Sequence, residues 1–152
     1  SFPYFVLLGS LFGFVILNWS PAKVFMGDVG STFLGTIYAC SVFQQLTWHD
    51  SFGLLLIGSP LVFDASSCVI RRLITNQSVF SAHKLHLYQR LHQSGMSHGL
   101  VSSIYILATI IVSIVFLNFG LMYGSITATI LILLGILLDR YVAVPYNVDL
   151  NT

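Results

Sequence analysis

Charge is scarce in this sequence. Asp, Glu, Lys and Arg together make up 7% of the 152 residues, Glu does not occur, and 56% of the residues are hydrophobic. A soluble domain of this size carries about a quarter of its residues as charges. The composition therefore excludes a soluble globular domain and indicates a surface that faces the lipid bilayer. The formal net charge of +1 also excludes the strongly basic surface on which nucleic-acid binding depends.

Cysteine is equally rare. Cys40 and Cys68 both lie within apolar runs, so we predict that they are packing residues rather than a disulfide or a metal pair. The chain opens on Ser1 and runs directly into apolar residues, without a basic segment or a small-residue cleavage site. We therefore do not expect a signal peptide there, and we expect the chain to be the C-terminal part of a longer protein.

Long apolar runs, in contrast, are abundant. A helix needs about 20 apolar residues to cross the hydrocarbon core of a membrane. The sequence predicts five such spans, with short turns at His49-Asp50 and at residues 118–120. We place the spans at about 2–19, 31–48, 51–71, 100–117 and 121–138. The expected fold class is all-α, a polytopic transmembrane helical bundle that forms a single domain over residues 1–152.

The basic residues give this span count a test, because consecutive spans alternate in direction. If the count is right, all six basic residues should lie on one side of the membrane. The predicted spans place them so, and they place His49 and Asp50 on the other side. The basic residues are Lys23, Arg71, Arg72, Lys84, Arg90 and Arg140. Basic loops face the cytoplasm, so we predict that the segment 18–30 and the histidine loop, residues 72–99, lie on the cytoplasmic face.

The stretch PAKVFMGDVGSTFLG, residues 21–35, places a lone acid, Asp28, between glycines just before a span. Ser31 and Thr32 are predicted N-caps, and a helix start favours anions through its dipole and its unpaired N–H groups. The flanking glycines let a ligand approach the backbone. Because Mg²⁺ takes one or two carboxylates together with substrate phosphates, the stretch is typical of a magnesium–diphosphate site. The alternative is a solvated turn in which Asp28 caps the helix.

The histidine loop is the second candidate, because residues 78–99 hold four of the five histidines. A helix over residues 82–92 would place His83, His86 and Arg90 on one face, which suits phosphate oxygens. An amphipathic basic helix lying on anionic headgroups is an equal alternative. Zinc is disfavoured, because the familiar pair of histidines is four residues apart with a Glu between them.

Asp64 is the third candidate, in GSPLVFDASSCVIRRL, residues 58–73. An ionisable group inside a span is a functional-site hypothesis by default. The alternative is a structural pair with Arg71, two helical turns further on. Pro60 is predicted to kink the helix. The remaining charges are predicted to be ordinary interface and tail charges: Asp50, Asp139, Arg140 and Asp149.

Together these stretches resemble the polyprenyl-phosphate N-acetylhexosamine-1-phosphate transferases, which include the initiators of bacterial O-antigen and enterobacterial common antigen and, more distantly, phospho-muramoyl-pentapeptide transferase. PAKVFMGDVGSTFLG is similar to the signature whose acid matches Asp28. PLVFDASSCVIRRL is similar to the following span, and AHKLHLYQRL is similar to the histidine loop of the O-antigen type. The murein branch carries consecutive histidines in this loop, whereas here they are three apart, which disfavours the murein substrate.

The resemblance implies a reaction. The phosphate of a polyprenyl carrier, expected to be undecaprenyl phosphate, attacks the β-phosphate of a UDP-N-acetylhexosamine, and UMP leaves. Asp28 would hold Mg²⁺, with Mn²⁺ as an alternative, and His83 and His86 would act with it in catalysis. Substrate binding falls to Lys23, Asp64, Arg71, Arg72, Tyr88, Gln89 and Arg90. The expected location is the bacterial inner membrane, with the active face towards the cytoplasm.

The sequence also departs from this family. An adjacent acidic pair and an Asn- and Asp-containing motif, which the family carries in other cytoplasmic loops, have no counterpart here, and the family usually has about ten or eleven spans. The isolated chain is therefore expected to be inactive. Two alternatives stay open, a catalytically inactive membrane scaffold and a small transporter that uses Asp64 as an ion relay. A homodimer stays open as an alternative to a single chain.

Overall fold

A computed structural model of the protein describes residues 2–78, 81 and 84–146. Within these residues the chain forms five α-helices and no strand. The helices are α1 Phe2–Asn18, α2 Gly27–Phe43, α3 Trp48–Ile74, α4 Leu87–Gln93 and α5 His98–Tyr141. The all-α class predicted from the composition is confirmed.

The helices α3 and α5 are both long and apolar enough to cross a membrane, and Tyr4–Asn18 forms a shorter apolar helix. Large apolar side chains on the long helices are exposed, among them Ile70 at 54% and Leu117 at 76%. Such continuous apolar surface is unfavourable in water, so these faces suit contact with lipid. The helix bounds differ from the predicted spans. Both ends of α2 lie several residues earlier than those of the predicted span 31–48, and α3 extends beyond both ends of the predicted span 51–71.

The chain divides into two compact units, residues 1–44 and 45–152. The first unit consists of α1, α2 and the segment between them. This segment folds back on the end of α1, because the amide of Lys23 donates to the carbonyl of Leu17 at 2.8 Å and the Asn18 side chain donates to the carbonyl of Val24 at 2.8 Å. These two contacts place Lys23 close to the C-terminal end of α1.

The start of α2 lies earlier than predicted. Gly27 has a φ of +65°, which favours glycine, and it is the first residue of the helix. Met26 occupies the N-cap position without a side-chain hydrogen bond, and the Ser31 hydroxyl donates to the carbonyl of Asp28 at 3.1 Å. The prediction that Ser31 and Thr32 cap the helix is therefore wrong, since both lie inside it. Asp28 itself lies in the first turn.

The second unit is built from α3, α4 and α5. Thr47 caps α3, because its hydroxyl oxygen accepts from the amide of Asp50 at 3.1 Å. Pro60 lies inside α3, and the helix continues on both sides of it. Within α5, Gly120 has φ +80° and ψ −171°, which is not helical. It separates a first arm, residues 98–119, from a second arm, residues 121–141.

The two arms of α5 run back along each other. Gly124 on the second arm lies against Phe116 on the first, where an added Cβ would be 3.3 Å from the Phe116 Cβ. At the other end, Leu138 and Tyr105 pack against the same buried cluster, which is formed by Leu91, Val101 and Ala143. Leu91 belongs to α4, so this cluster holds α4 against the two ends of α5.

Candidate functional site

Polar and charged side chains converge in the second unit where α3 ends and α5 begins and ends. We refer to them as the polar cluster. Its members from α3 are Asp64, Arg71 and Arg72. Those from the histidine loop and α4 are His86, Tyr88, Gln89 and Arg90. Those from α5 and the following tail are Tyr105, Asp139 and Tyr146. The structure thus brings together three segments that are far apart in the sequence.

Asp64 is the most connected acid of the polar cluster, and it is only 5% exposed. Its carboxylate accepts hydrogen bonds from the amides of Leu87 at 2.7 Å and Tyr88 at 3.3 Å, and from the Tyr105 hydroxyl at 2.8 Å. The Nδ1 atom of His86 lies 3.8 Å from the carboxylate. These contacts are with the start of α4 and with α5. The structural pair with Arg71, which the sequence left open as an alternative, does not form.

Arg71 and Arg90 share the carboxylate of Asp139 instead, each as an ion pair. Both guanidinium groups also lie over the ring of Tyr146, at 5.5 and 5.6 Å from its centroid, which is cation–π distance. Arg90 is 2% exposed and in addition donates to the carbonyls of Leu85 at 3.2 Å and Val144 at 2.8 Å. Arg90 therefore links α4 to α5 and to the tail that follows it.

The prediction that Asp139 is an ordinary interface charge is wrong, because its carboxylate pairs with Arg71 and Arg90 within the polar cluster. A signal was available: the alternation of the predicted spans already put Arg71 and Asp139 on the same side of the membrane. Two arginines and one acid at the same depth point to an ion pair. Tyr105 and Tyr146 carried no comparable signal, since each lies in an apolar or uncharged stretch.

Arg72 is buried, at 1% exposure, although a long charged side chain at a helix end usually reaches water. Its Nη2 atom donates to the carbonyl of Ser78 and to the Ser81 hydroxyl, the latter at 2.6 Å. Arg72 therefore holds the beginning of the histidine loop against the end of α3. The neighbouring Arg71 has a side chain that is 38% exposed, so it is the more accessible of the two arginines.

The predicted loop helix over residues 82–92 is wrong at residues 84–86, which are described and are not helical. The helix begins at Leu87, and His86 is its N-cap residue with an extended backbone, φ −60° and ψ 149°. His83 lies outside the described residues. Gln89 accepts from the amide of His86 through its side-chain oxygen at 3.2 Å, and the His86 ring stacks on Tyr88 with 5.6 Å between centroids. His86 is thus oriented by its neighbours at the start of α4.

Burial shifts the pKa of three groups of the polar cluster that lie outside the long helices, namely Tyr88, Arg90 and Tyr146. It raises the pKa of the Tyr88 hydroxyl, and the negative charge of Asp64 acts in the same direction. It also raises the pKa of Tyr146. Burial lowers the pKa of the Arg90 guanidinium, and the positive charge of Arg71 adds to this effect. Since an arginine nonetheless stays protonated in a protein, Arg90 keeps its charge next to Asp139.

An apolar cavity of about 290 Å³ lies beside the polar cluster, between α3 and the two arms of α5. Asp64 and Tyr105 form its polar end, and Pro60, Ile111 and Leu134 are among its apolar walls. A smaller cavity of about 30 Å³ lies between Asp64 and Asp139. It is wide enough for a water molecule.

The first unit carries the other two predicted site residues, Asp28 and Lys23, and both are exposed. Asp28 faces outward in the first turn of α2, and Thr32 and Thr36 line the same open surface one and two turns further along. An acid in the first turn is favoured by the helix dipole. The Asp28 side chain is therefore accessible to a ligand from solvent.

No group of three or more His, Cys, Asp or Glu side chains that could hold a metal ion occurs among the described residues. A zinc site of the structural type needs four protein ligands, and the described residues do not bring such a set together. Mg²⁺ differs, because it keeps several waters and takes one or two carboxylates together with substrate phosphates. Asp28 offers one exposed carboxylate, which fits such a cation.

The fold and these side chains define a class first: an all-α membrane protein with a buried polar cluster at one end of a helical bundle. Comparison with known proteins gives the family. Residues 1–45, which include Asp28, match the model of glycosyl transferase family 4. The chain belongs to this family.

Three curated relatives show the range of the matches. The chain is 37% identical over 99 residues to a probable undecaprenyl-phosphate N-acetylglucosaminyl 1-phosphate transferase of Bacillus subtilis, which covers 61% of the chain and 27% of the relative. It is 38% identical over 112 residues to a putative phospho-N-acetylmuramoyl-pentapeptide-transferase of Methanothermobacter thermautotrophicus, covering 74% and 30%. The phospho-N-acetylmuramoyl-pentapeptide-transferase of Carboxydothermus hydrogenoformans is 38% identical over 112 residues, covering 72% and 33%.

The chain therefore spans about a third or less of the length of these relatives. No solved structure matches it significantly.

Proposed function

We propose that the protein takes part in the transfer of N-acetylhexosamine-1-phosphate from a UDP-N-acetylhexosamine to undecaprenyl phosphate or a similar polyprenyl phosphate. The reaction would occur at the cytoplasmic face of a bacterial inner membrane and would initiate a cell-surface polysaccharide. One observation carries the proposal: Asp28 is exposed in the first turn of α2, within the residues that match the family model. The activities after which the relatives are named support a sugar-1-phosphate transfer to a lipid carrier.

In this reaction an oxygen of the carrier phosphate attacks the β-phosphorus of the UDP-sugar. A new P–O bond forms, the bond from the β-phosphorus to the bridging oxygen breaks, and UMP leaves with that oxygen. The sugar diphospholipid remains in the membrane. Because both substrates are polyanions, groups that offset negative charge should contribute most to the rate.

Asp28 is the residue that would hold Mg²⁺, or Mn²⁺ as the alternative. The ion, when bound, would neutralise charge on the diphosphate. Lys23, a few residues before Asp28 in the same unit and also exposed, would contact phosphate oxygens. This pairing of an acid for the cation with a nearby lysine is supported by the exposure of both side chains.

The polar cluster would supply the contacts with phosphate or sugar from the second unit. His86, Tyr88 and Arg71 keep accessible surface there, and we assign direct substrate contacts to them. Gln89, Arg72 and Arg90 use the polar atoms described above for contacts within the protein, so we assign them to holding the loop in place. The catalytic role expected for His83 stays a prediction, because that residue lies outside the described part of the chain.

The test is the substitution Asp28→Asn in the protein as its gene encodes it. We expect Mg²⁺-dependent exchange of UMP in isolated membranes to fall about 100-fold or more, because the amide cannot hold the cation that stabilises charge in the transition state. Chelation of divalent cations with EDTA should abolish the exchange in the wild type, and added Mg²⁺ should restore it. Membrane insertion of the variant should be unchanged.

Asp50→Asn is the matched control, since Asp50 is also an exposed acid near a helix start but lies at the opposite end of α3 from the polar cluster. Its exchange activity should equal that of the wild type. Wild-type exchange that persists in Asp28→Asn, or that does not depend on a divalent cation, would contradict the proposal. Loss of function in Asp64→Asn together with wild-type function in Asp28→Asn would favour the ion relay, and wild-type function in both variants would favour the scaffold.

A further inference from the structure

Asp64 connects three elements through a single carboxylate. It belongs to α3, it accepts from the amides of the first two residues of α4, and it accepts from the hydroxyl of Tyr105 on α5. The two amides, those of Leu87 and Tyr88, lie 23 and 24 residues further along the chain. A helix start is normally capped by the side chain just before it. Here a carboxylate from another helix holds the first two amides, in addition to the capping box that His86 and Gln89 form.

The helix α4 depends on such support, because it has only seven residues. Isolated helices of this length are not stable in water. At its C-terminal half, Arg90 joins it to Asp139 and to the carbonyl of Val144. At its start, the carboxylate of Asp64 is the partner of the first two amides. Without the carboxylate, these N–H groups would lose an ionised acceptor in a partly buried place, which is costly.

The same carboxylate also faces His86, whose Nδ1 atom lies 3.8 Å away. His86 immediately precedes α4 and stacks on Tyr88, so the position of its ring follows the position of the helix start. The two ring nitrogens of a histidine are distinct, and the partner of one nitrogen determines the role that the other can take. Asp64 is therefore placed to control both the location and the orientation of this histidine.

We propose that Asp64 is the positioning residue of the histidine loop: it fixes the start of α4 and thereby holds His86 and Tyr88 in place for the transfer reaction. This inference rests on the proposed function as far as the reaction is concerned. An ion relay or a direct substrate contact needs a carboxylate oxygen that is free to bind the ion or the substrate, whereas Asp64 is 5% exposed and each of its oxygens already accepts a hydrogen bond within the protein.

The experiment compares Asp64→Asn with the wild type, using the protein as its gene encodes it, in lipid nanodiscs. Amide hydrogen exchange should become about tenfold faster at Leu87 and Tyr88, since an ionised acceptor is replaced by a neutral one, while exchange in the first arm of α5 stays unchanged. In the transfer assay, kcat should fall about tenfold or more and KM for the UDP-sugar should stay within about twofold. Asp50→Asn, on the same helix, should change neither quantity.

Tyr105→Phe is the second variant, because it removes one hydrogen bond to Asp64 and keeps the charge and the shape of the site. It should lower kcat several-fold at constant KM, and Tyr123→Phe, on the exposed side of the second arm, should have no effect. This variant decides the question if Asp64→Asn fails to fold.

Normal exchange at the start of α4 in both variants would overturn the inference. A raised KM with unchanged exchange would also overturn it, because that result would indicate direct contact with substrate. If the wild type transfers no sugar phosphate, the proposed function fails, while the exchange measurement still decides the positioning role.

Discussion

At the residue scale, a single acid balances two positive charges in the polar cluster. Asp139 has a side chain that is 13% exposed, and it pairs with Arg71 and with Arg90, whose side chain is 3% exposed. A buried ion pair adds little to stability compared with apolar residues of the same volume, but removal of one partner leaves a buried charge without compensation. The ring of Tyr146 and two backbone carbonyls offset only part of that charge.

We predict that Asp139→Ala destabilises the protein by about 3 kcal/mol, because it removes the ion-pair partner of the buried Arg90 guanidinium. Thermal unfolding in detergent, followed by circular dichroism, measures the change. Arg140→Ala is the control at the neighbouring position, where the side chain is exposed, and its effect should stay within about 0.5 kcal/mol. Equal unfolding temperatures for Asp139→Ala and the wild type would show that Asp139 is not needed to compensate the arginines.

At the element scale, the reversal within α5 depends on Gly120. Its φ of +80° with ψ of −171° belongs to a region that only glycine adopts without strain. This conformation lets the second arm return along the first, which brings Leu138 to Tyr105 and puts Asp139 next to Arg71 and Arg90. The polar cluster therefore depends on a glycine at the opposite end of the helical arms.

We predict that Gly120→Ala costs about 1–3 kcal/mol of stability, because a Cβ atom is strained in this backbone conformation. The same thermal unfolding assay measures it. Gly135→Ala is the matched control: Gly135 is helical and an added Cβ meets no atom within 4 Å, so that variant should be neutral or more stable by about 0.5–1 kcal/mol. The prediction is wrong if the two alanine variants unfold at the same temperature.

At the scale of the whole molecule, the two ends of α3 carry different chemistry. His49 and Asp50 lie in its first turn, and Arg71 and Arg72 lie in its last. If α3 spans the membrane, the histidine loop and the His49 end must face opposite sides. The excess of basic residues at the loop end favours the cytoplasm for that side.

This arrangement predicts the result of cysteine labelling. In a background in which Cys40 is replaced by Ser and Cys68 by Ala, a single cysteine at Gln93 should react with a membrane-impermeant maleimide in inverted membrane vesicles, and one at His49 should react in right-side-out vesicles. Both positions are exposed in the structure. Labelling of both positions from the same side would contradict a membrane-spanning α3.

The class of the protein was readable from the sequence, because a chain with so few charges cannot cover itself with a surface that water solvates. The all-α fold followed from the length of the apolar runs, and the family followed from local stretches such as the one around Asp28. Such features depend on neighbours in the sequence. The start of α2 was predicted too late, however, because it depends on the left-handed backbone conformation of Gly27, which a pattern of residue types does not specify.

The partners of the buried charges were decided only by the tertiary structure. Helical periodicity places residues about 3.6 positions or a multiple of it apart on one face, so it offered Arg71, two turns further on, as the partner of Asp64. In the fold, Asp64 binds amides 23 and 24 residues away, and Arg71 binds an acid 68 residues away. Which acid meets which base depends on how α3, α4 and the two arms of α5 pack against one another. The sequence therefore determined which groups are available, and the packing of the helices determined which of them meet.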